Sequence, residues 1–336
     1  MTDLQALVDA ADSSALLLAV DGLAAGREWD DLADLARRCR DAVELGRQLW
    51  PVAMHIDYRL AWEGPAAHAG AVLRPGAARF ALGPLTEVAA STHDWSSLAP
   101  HIADPASAGA VAQERVLRGE DLTGRGDARS DDGLPLVLAG WEPDYALPRY
   151  RDRSAAFPQP DAALRTLPAA AGPAPPSVNA PVQDEATRAL RDLVEVWVTQ
   201  SSGSVSAVAT EGDAALAVGA LLAATELPSH AALVPIAPAE ALALLQWSGA
   251  SGGAYGRRPG GARGRFAAWW ALAALAGLPW PCDPDELGRA LGELRWFRWG
   301  FGPETGWALR LAVTDPVDGL SWAVAATDLR DDADGG

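Results

Sequence analysis

The sequence predicts an α+β protein with a helical amino-terminal domain and a mixed α/β carboxy-terminal domain that ends in an antiparallel hairpin. Three observations support this prediction. Apolar residues recur at helical spacing in the first third of the chain, prolines crowd its middle, and apolar residues alternate near its end. With 336 residues the chain is long enough for about two domains. We expect a helical domain at 1–117, a loop and proline-rich linker at 118–182, and an α+β domain at 183–330.

Short helices are expected throughout the amino-terminal domain. Asp30 and Asp31 follow Trp29 and place negative charge on the first turn of a helix, which the helix dipole favours. An apolar stripe at helical spacing then continues this helix through Leu32, Leu35, Ala36, Cys39, Ala42 and Val43. Further helices are predicted over 52–62, 85–90 and 104–117.

Residues 118–182 interrupt the helical pattern. Leu134–Trp141 is predicted to be a strand, and Pro135 would confine it to the edge of a sheet because proline has no N–H to donate. Seven prolines between Phe157 and Val182 are incompatible with a helix or a central strand. This stretch is therefore the predicted interdomain linker.

The carboxy-terminal domain is predicted to alternate between helices and strands. Asp184 is placed to cap a helix whose apolar stripe continues to Trp197. Helices are expected over 213–225, 238–247 and 265–277, and strands over 205–210 and 231–236. Near the end, alternating residues over 307–313 and 320–324 flank a turn at 315–319, which predicts an antiparallel hairpin.

The segment Trp296–Trp299 carries large rings at successive positions and therefore on both faces of an extended segment. We expect one of these faces to be exposed to a partner.

Every one of the 27 basic residues is an arginine, on a chain of net charge −17. A phosphate-binding P-loop, a protein-kinase active site and a Schiff-base enzyme each need a lysine, so the sequence excludes these classes. The acidic charge repels nucleic-acid phosphate, and nucleic acid is not an expected partner. The sequence shows no secretory signal and no apolar stretch long enough to span a membrane, so we expect a cytoplasmic protein without a membrane partner.

A charge reversal marks the stretch 241–282, which contains four arginines and no acidic residue. Its glycine-rich part, residues 248–265, lets a ligand approach the backbone, and amide and guanidinium groups both donate to anions. The candidate ligand- or partner-binding residues are Gly252, Gly253, Arg257, Arg258, Arg263 and Arg265. In the alternative interpretation, these arginines pair with the chain's own carboxylates and the loop only connects two helices.

Two patterns in the sequence resemble catalytic motifs. His68, then His93 and Asp94, then Asp121 or Asp131, follow the ligand order of helical metal-dependent phosphohydrolases. The run Gly249–Gly253 imitates a hydrolase nucleophile elbow, but no histidine follows His230, and that fold requires one after the serine. We assign no catalytic residue and no metal ligand.

Cys39 and Cys282 are the only cysteines and lie in different predicted domains. Neither a disulfide framework nor a thiolate zinc site is expected, and no cofactor is expected.

The segments Ser248–Arg258, Gly264–Trp270, Leu294–Trp296, Trp307–Val313, Asp315–Pro316 and Gly319–Trp322 carry a resemblance to known sequences, with a weaker match at Trp50–Ala53 and Tyr58–Leu60. In these segments, mainly in its second half, the chain resembles an uncharacterised protein family from GC-rich Gram-positive bacteria, whose members have about this length. The resemblance implies a shared fold and no activity. We expect a recognition or scaffold protein that binds an acidic protein partner or a phosphorylated ligand, and self-association is compatible with this role. The alternative is a metal-dependent helical phosphohydrolase.

Overall fold

A computed structural model describes residues 3–75, 81–130, 132–160, 184–228, 230–301 and 306–330. The chain divides into two compact units. The first comprises Met1–Asp131 and Pro148–Phe157, and the second comprises Asp132–Leu147 and Pro158–Gly336. The predicted linker therefore contributes described residues to both units. Its proline-rich part over 161–183 lies outside the described residues.

The first unit is built mainly of helices, as the sequence predicts. These are α1 (Leu4–Ala10), α2 (Ser13–Gly26), α3 (Trp29–Glu44), α4 (Trp50–Glu63), α5 (Ala66–Ala71), α6 (Leu85–Ala90), α7 (Trp95–Leu98) and α8 (Pro105–Leu117), with a 3₁₀ turn at Ala99–His101. A two-stranded hairpin joins β1 (Arg149–Tyr150) to β2 (Ala155–Ala156).

Local sequence explains where several of these helices begin. Asp3, Asp12, Asp94 and Asp104 are N-cap residues whose carboxylates accept backbone N–H bonds from the first turns of α1, α2, α7 and α8. Helix α3 begins at Trp29 and buries the predicted apolar stripe from Leu32 to Ala42, largely against α4. The α3, α6 and α8 predictions are confirmed.

The second unit combines six helices with a five-stranded sheet among its described residues. The helices are α9 (Glu185–Asp192), α10 (Glu195–Thr199), α11 (Ala214–Ala223), α12 (Pro238–Ala250), α13 (Gly261–Leu275) and α14 (Pro284–Glu293). The strands are β3 (Ser204–Glu211), β4 (Ala232–Ile236), β5 (Arg295–Gly300), β6 (Trp307–Asp315) and β7 (Leu320–Asp328). They are antiparallel in the order β3-β7-β6-β5-β4, so the α+β prediction and the terminal hairpin are confirmed.

Helices cover both faces of this sheet. On one face α11 packs against Val208, Trp299 and Ala323. On the other face, α9, α12 and α13 pack against a larger core that includes Trp296 and Leu311. Side chains of successive strand residues point to opposite faces, so β5 contributes a tryptophan to each core.

This arrangement corrects the expectation of an exposed aromatic face on Trp296–Trp299. Trp296 is 2% exposed and Trp299 is fully buried. The segment lies between β4 and β6, and both of its faces are covered. Large rings on both faces therefore indicate a central strand rather than a partner surface here.

The predicted strand Leu134–Trp141 is wrong, because this segment has no strand conformation. The carbonyls of Pro135 and Val137 instead accept hydrogen bonds from the guanidinium of Arg265, at 3.0 Å each. The guanidinium of Arg265, on α13, thus provides the hydrogen-bond donors that a neighbouring strand would provide in a sheet. None of the helices in the described part of the chain is long and apolar enough to cross a membrane.

Candidate functional site

The glycine- and arginine-rich stretch connects α12 to α13. The sequence predicts a helix from Arg265, whereas α13 begins one turn earlier, at Gly261. Its N-cap Gly260 has φ 101°, a conformation that favours glycine. We therefore define the Gly/Arg loop as residues 251–260, which contain Arg257 and Arg258, and Arg263 lies on the first turn of α13.

A buried carboxylate anchors this loop. Asp328, at the end of β7, is 2% exposed, and its Oδ2 accepts the N–H of Ala254 at 2.6 Å. Three more loop N–H groups are bonded to nearby side chains: Gly253 to Ser251 at 3.2 Å, Tyr255 to Ser201 at 3.0 Å and Arg257 to Gln200 at 3.4 Å. The loop is therefore fixed to the α10–β3 connection and to β7 through its backbone.

Gly252 and Gly253, which are expected to let a ligand approach the backbone, instead allow close contacts within the protein. A Cβ on Gly252 would lie 2.3 Å from the carbonyl oxygen of Gly256. Gly253 has φ 72°, and a Cβ there would lie 2.2 Å from Oδ2 of Asp328. Both positions need glycine for the loop to fold onto its anchor.

Arg265 lies in the core. Its side chain is fully buried, and its Nη2 lies 2.6 Å from Oε1 of Glu142, whose side chain is also fully buried. Nε donates to Oε2 of the same carboxylate at 2.9 Å, which completes a bidentate pair. Tyr145 and Trp269 also donate to Oε2, at 2.8 and 3.0 Å. Burial and then the Glu142 charge raise the pKa of Tyr145 well above its ordinary value, so Tyr145 stays a neutral donor.

The other predicted arginines lie nearer to solvent. Arg257 and Arg263 are exposed, and Arg258 is half-buried. Tyr255, in the same loop, is 46% exposed, and Val198 on α10 is 42% exposed. The loop backbone is bonded to the α10–β3 connection next to Val198, and Arg263 follows the loop on the first turn of α13. We call this set of five residues the Arg surface.

Half-buried aromatic rings follow the Arg surface along α13. The guanidinium of Arg263 lies 4.9 Å from the ring centre of Phe266. The rings of Phe266, Trp270 and Trp280 lie 5.6–6.4 Å apart, as in other aromatic clusters. This cluster was not predicted from the sequence. Apolar residues occur on all faces of α13 in the sequence. This pattern could have indicated that some aromatic rings lie on the outer face of the helix.

The predicted phosphohydrolase ligands are not brought together. His68 contacts Asp30 through Nε2 at 3.0 Å, whereas His93 donates to the backbone carbonyl of Gly64, and burial lowers its pKa. Asp94 caps α7 through Ser97. The carboxylate of Asp121 accepts bonds from Thr123, and Asp131 lies outside the described residues. Within the described ranges, no three His, Cys, Asp or Glu side chains are grouped to hold a metal ion.

Both thiols have raised pKa values. Burial raises the pKa of Cys39 to about 11, and burial also raises the pKa of Cys282. Thiolate is the reactive form of cysteine, so neither side chain is activated as a nucleophile.

Comparison with known proteins identifies a family without assigning an activity. A family model described as a family of unknown function (DUF6183) matches residues 14–330, which span both units. No curated protein and no solved structure matches the chain. The resemblance to an uncharacterised family is thus confirmed, and the bacterial source of that family stays an expectation.

Proposed function

We propose that this chain, which belongs to the DUF6183 family of unknown function, is a cytoplasmic recognition protein that binds an acidic segment of a protein partner through its Arg surface. The anchoring of the Gly/Arg loop by Asp328 carries this proposal. A loop whose backbone is already ordered loses little conformational entropy on binding, so its side chains can contribute more of their contact energy to affinity.

The composition of the surface supports a polypeptide partner. Tyrosine and arginine are enriched where protein interfaces concentrate their binding energy, and Tyr255 and Arg257 lie two positions apart on the loop. Val198 adds an exposed apolar group on the adjoining helix. A tyrosine ring, an aliphatic side chain and guanidinium groups together fit a peptide that alternates acidic and apolar residues.

Charge complementarity supports an acidic partner. The stretch 241–282 has no carboxylate side chain, although the whole chain has a net charge of −17. Long-range repulsion slows the approach of an acidic partner everywhere except near such a stretch, so the local field selects the docking site.

An acidic polypeptide fits this loop better than a phosphate group. Phosphate-binding loops use successive backbone N–H groups that point to the ligand. In this loop the N–H groups of Gly253, Ala254, Tyr255 and Arg257 are bonded to side chains of the protein. The backbone of this loop therefore does not present the successive N–H groups that a phosphate site uses. No observation favours the phosphohydrolase alternative.

Arginine-selective modification tests the location of the site. The full chain is treated with a dicarbonyl reagent with and without a glutamate-rich peptide that contains one tryptophan, and each arginine is quantified by mass spectrometry. We expect the peptide to protect Arg257 and Arg263, and not Arg289 or Arg295, which are exposed arginines elsewhere in the second unit. Uniform protection of all four, or of none, would contradict the proposal.

A further inference from the structure

A cleft in the first unit has a different chemical character from the Arg surface. It measures about 490 Å³, a volume typical of small-molecule sites. It lies where α2 ends, α3 begins and α4 turns into α5, and its lining residues are Ala24, Arg27, Trp29, Glu63, Gly64 and Pro65.

Glu63 presents a carboxylate in a fixed orientation. Its side chain is 25% exposed, and Nη2 of Arg59 donates to its Oε2 at 3.1 Å. Arg59 is buried and also pairs with Asp21 at 2.9 Å. A carboxylate accepts several hydrogen bonds, so Glu63 can accept another donor while Arg59 holds it in place.

Arg27 presents the opposite charge. It is exposed and forms no ion pair with any residue that the structure describes. It also ends α2 with φ 58° and ψ 32°, a left-handed conformation in which glycine is the usual residue. Ala11 ends α1 in the same conformation but does not line the cleft, so it provides a matched comparison for Arg27.

Trp29 and the turn at Gly64 complete the cleft. Trp29 is half-buried and lines the cleft. Gly64 has no side chain, so its backbone lines the cleft. The contact between His68 on α5 and Asp30 on α3, at 3.0 Å, links two of the helices that form the cleft.

We propose that this cleft binds a small zwitterion of the amino-acid type that carries an apolar ring. Arg27 pairs with its carboxylate, Glu63 accepts bonds from its ammonium group, and the ring lies against Trp29. A simple anion would leave Glu63 without a new donor, and a simple cation would leave Arg27 without a counter-charge. A zwitterion satisfies both charges of the cleft at once.

Calorimetric titration of the full chain with four probes tests this chemistry. L-Tryptophan has all three features, tryptamine lacks the carboxylate, N-acetyl-L-tryptophan lacks the ammonium group, and L-alanine lacks the ring. We expect L-tryptophan to bind and each of the other three to bind at least about tenfold more weakly. No binding of L-tryptophan, or equal affinity for any of the other three, would overturn the proposal.

The variant Arg27→Gly locates the site, with Ala11→Gly as its control. Glycine relieves the left-handed backbone at both positions, so both variants are expected to fold. We expect Arg27→Gly to bind L-tryptophan at least about tenfold more weakly and Ala11→Gly to bind it as the parent does. If Arg27→Gly did not fold, Arg27→Asn would replace it, since asparagine also tolerates this conformation. Full binding by the folded variant would refute the assignment.

Discussion

Arginines that lie close together in the sequence have different surroundings in this protein. Arg263 and Arg265 are separated by one residue on α13, yet the first is exposed and the second is fully buried against Glu142. Removing one partner of a buried pair leaves an uncompensated charge in the core. An exposed arginine that contacts a ring contributes far less to stability.

We therefore expect Arg265→Ala to lower the free energy of unfolding by about 3–5 kcal/mol. Arg263→Ala is the control, and its loss of a cation–π contact should cost about 1 kcal/mol or less. Urea denaturation of both variants measures the difference. Similar small losses would show that the pair with Glu142 contributes little.

Alanine substitutions at Gly253 and Gly277 distinguish the cost of a positive φ from the cost of a steric clash. Both have positive φ, at 72° and 63°. A Cβ on Gly253 would meet Asp328, whereas nothing lies within 4 Å of a Cβ on Gly277. We expect Gly277→Ala to cost about 1 kcal/mol from conformation alone, and Gly253→Ala to cost more because the loop anchor must shift. Thermal unfolding tests this order, and equal losses would argue against the anchoring role of Asp328.

The sequence could not show that Arg265 is buried and Arg263 exposed, because a local pattern does not identify the partner of either side chain. The deciding partner, Glu142, is 123 residues away from Arg265. Contacts at such separation depend on tertiary packing, which local patterns do not encode. The exposure of Arg257 and Arg263 fits the expectation of a basic surface, and whether that surface binds a partner stays a prediction.

At the scale of elements, local signals predicted most boundaries. The Asp184 cap, the turn after Asp315 and the alternation in β6 and β7 each depend on neighbouring residues, and the corresponding α9 start and hairpin are present. Leu134–Trp141 failed because its carbonyls are satisfied by α13 instead of a strand. Helix α14 was missed, although Asp283 caps it and Pro284 is its first residue, a common pattern at helix starts.

Helix α14 offers a paired test of its packing. A Cβ on Gly288 would lie 2.3 Å from the ring of Trp141, whereas nothing lies within 4 Å of a Cβ on Gly292. Replacing glycine by alanine in an open helical position stabilises by about 0.5–1 kcal/mol. We expect Gly292→Ala to raise the unfolding temperature and Gly288→Ala to lower it, because Trp141 must move. An increase for both variants would show that Trp141 does not pack there.

At the scale of the molecule, each of the two compact units is formed by two separate stretches of the chain. Residues 132–147 belong to the second unit, although residues 148–157 that follow them belong to the first. Sequence patterns could not show this path, because the segment has no regular structure and is held by contacts such as the bond from Trp141 Nε1 to the carbonyl of Pro284 at 2.9 Å.

A fragment that begins at residue 184 lacks Glu142 and leaves Arg265 buried without its counter-charge. We expect this fragment to be insoluble or unfolded, and a fragment of residues 132–336 to show a cooperative unfolding transition. Circular dichroism during heating compares them. A fragment 184–336 that folds as cooperatively as the longer one would show that residues 132–147 are dispensable to the unit.

The affinity of charge-reversed variants for a glutamate-rich peptide tests the recognition proposal most directly. The variant Arg257→Glu/Arg263→Glu changes the Arg surface, and Arg289→Glu/Arg295→Glu makes the same change in net charge elsewhere on the second unit. Fluorescence anisotropy of the labelled peptide gives both dissociation constants, after circular dichroism has shown that the variants fold. We expect the first variant to bind at least about tenfold more weakly and the second to bind nearly as the parent does. Equal weakening of both, or unchanged binding by the first, would contradict recognition through the Arg surface.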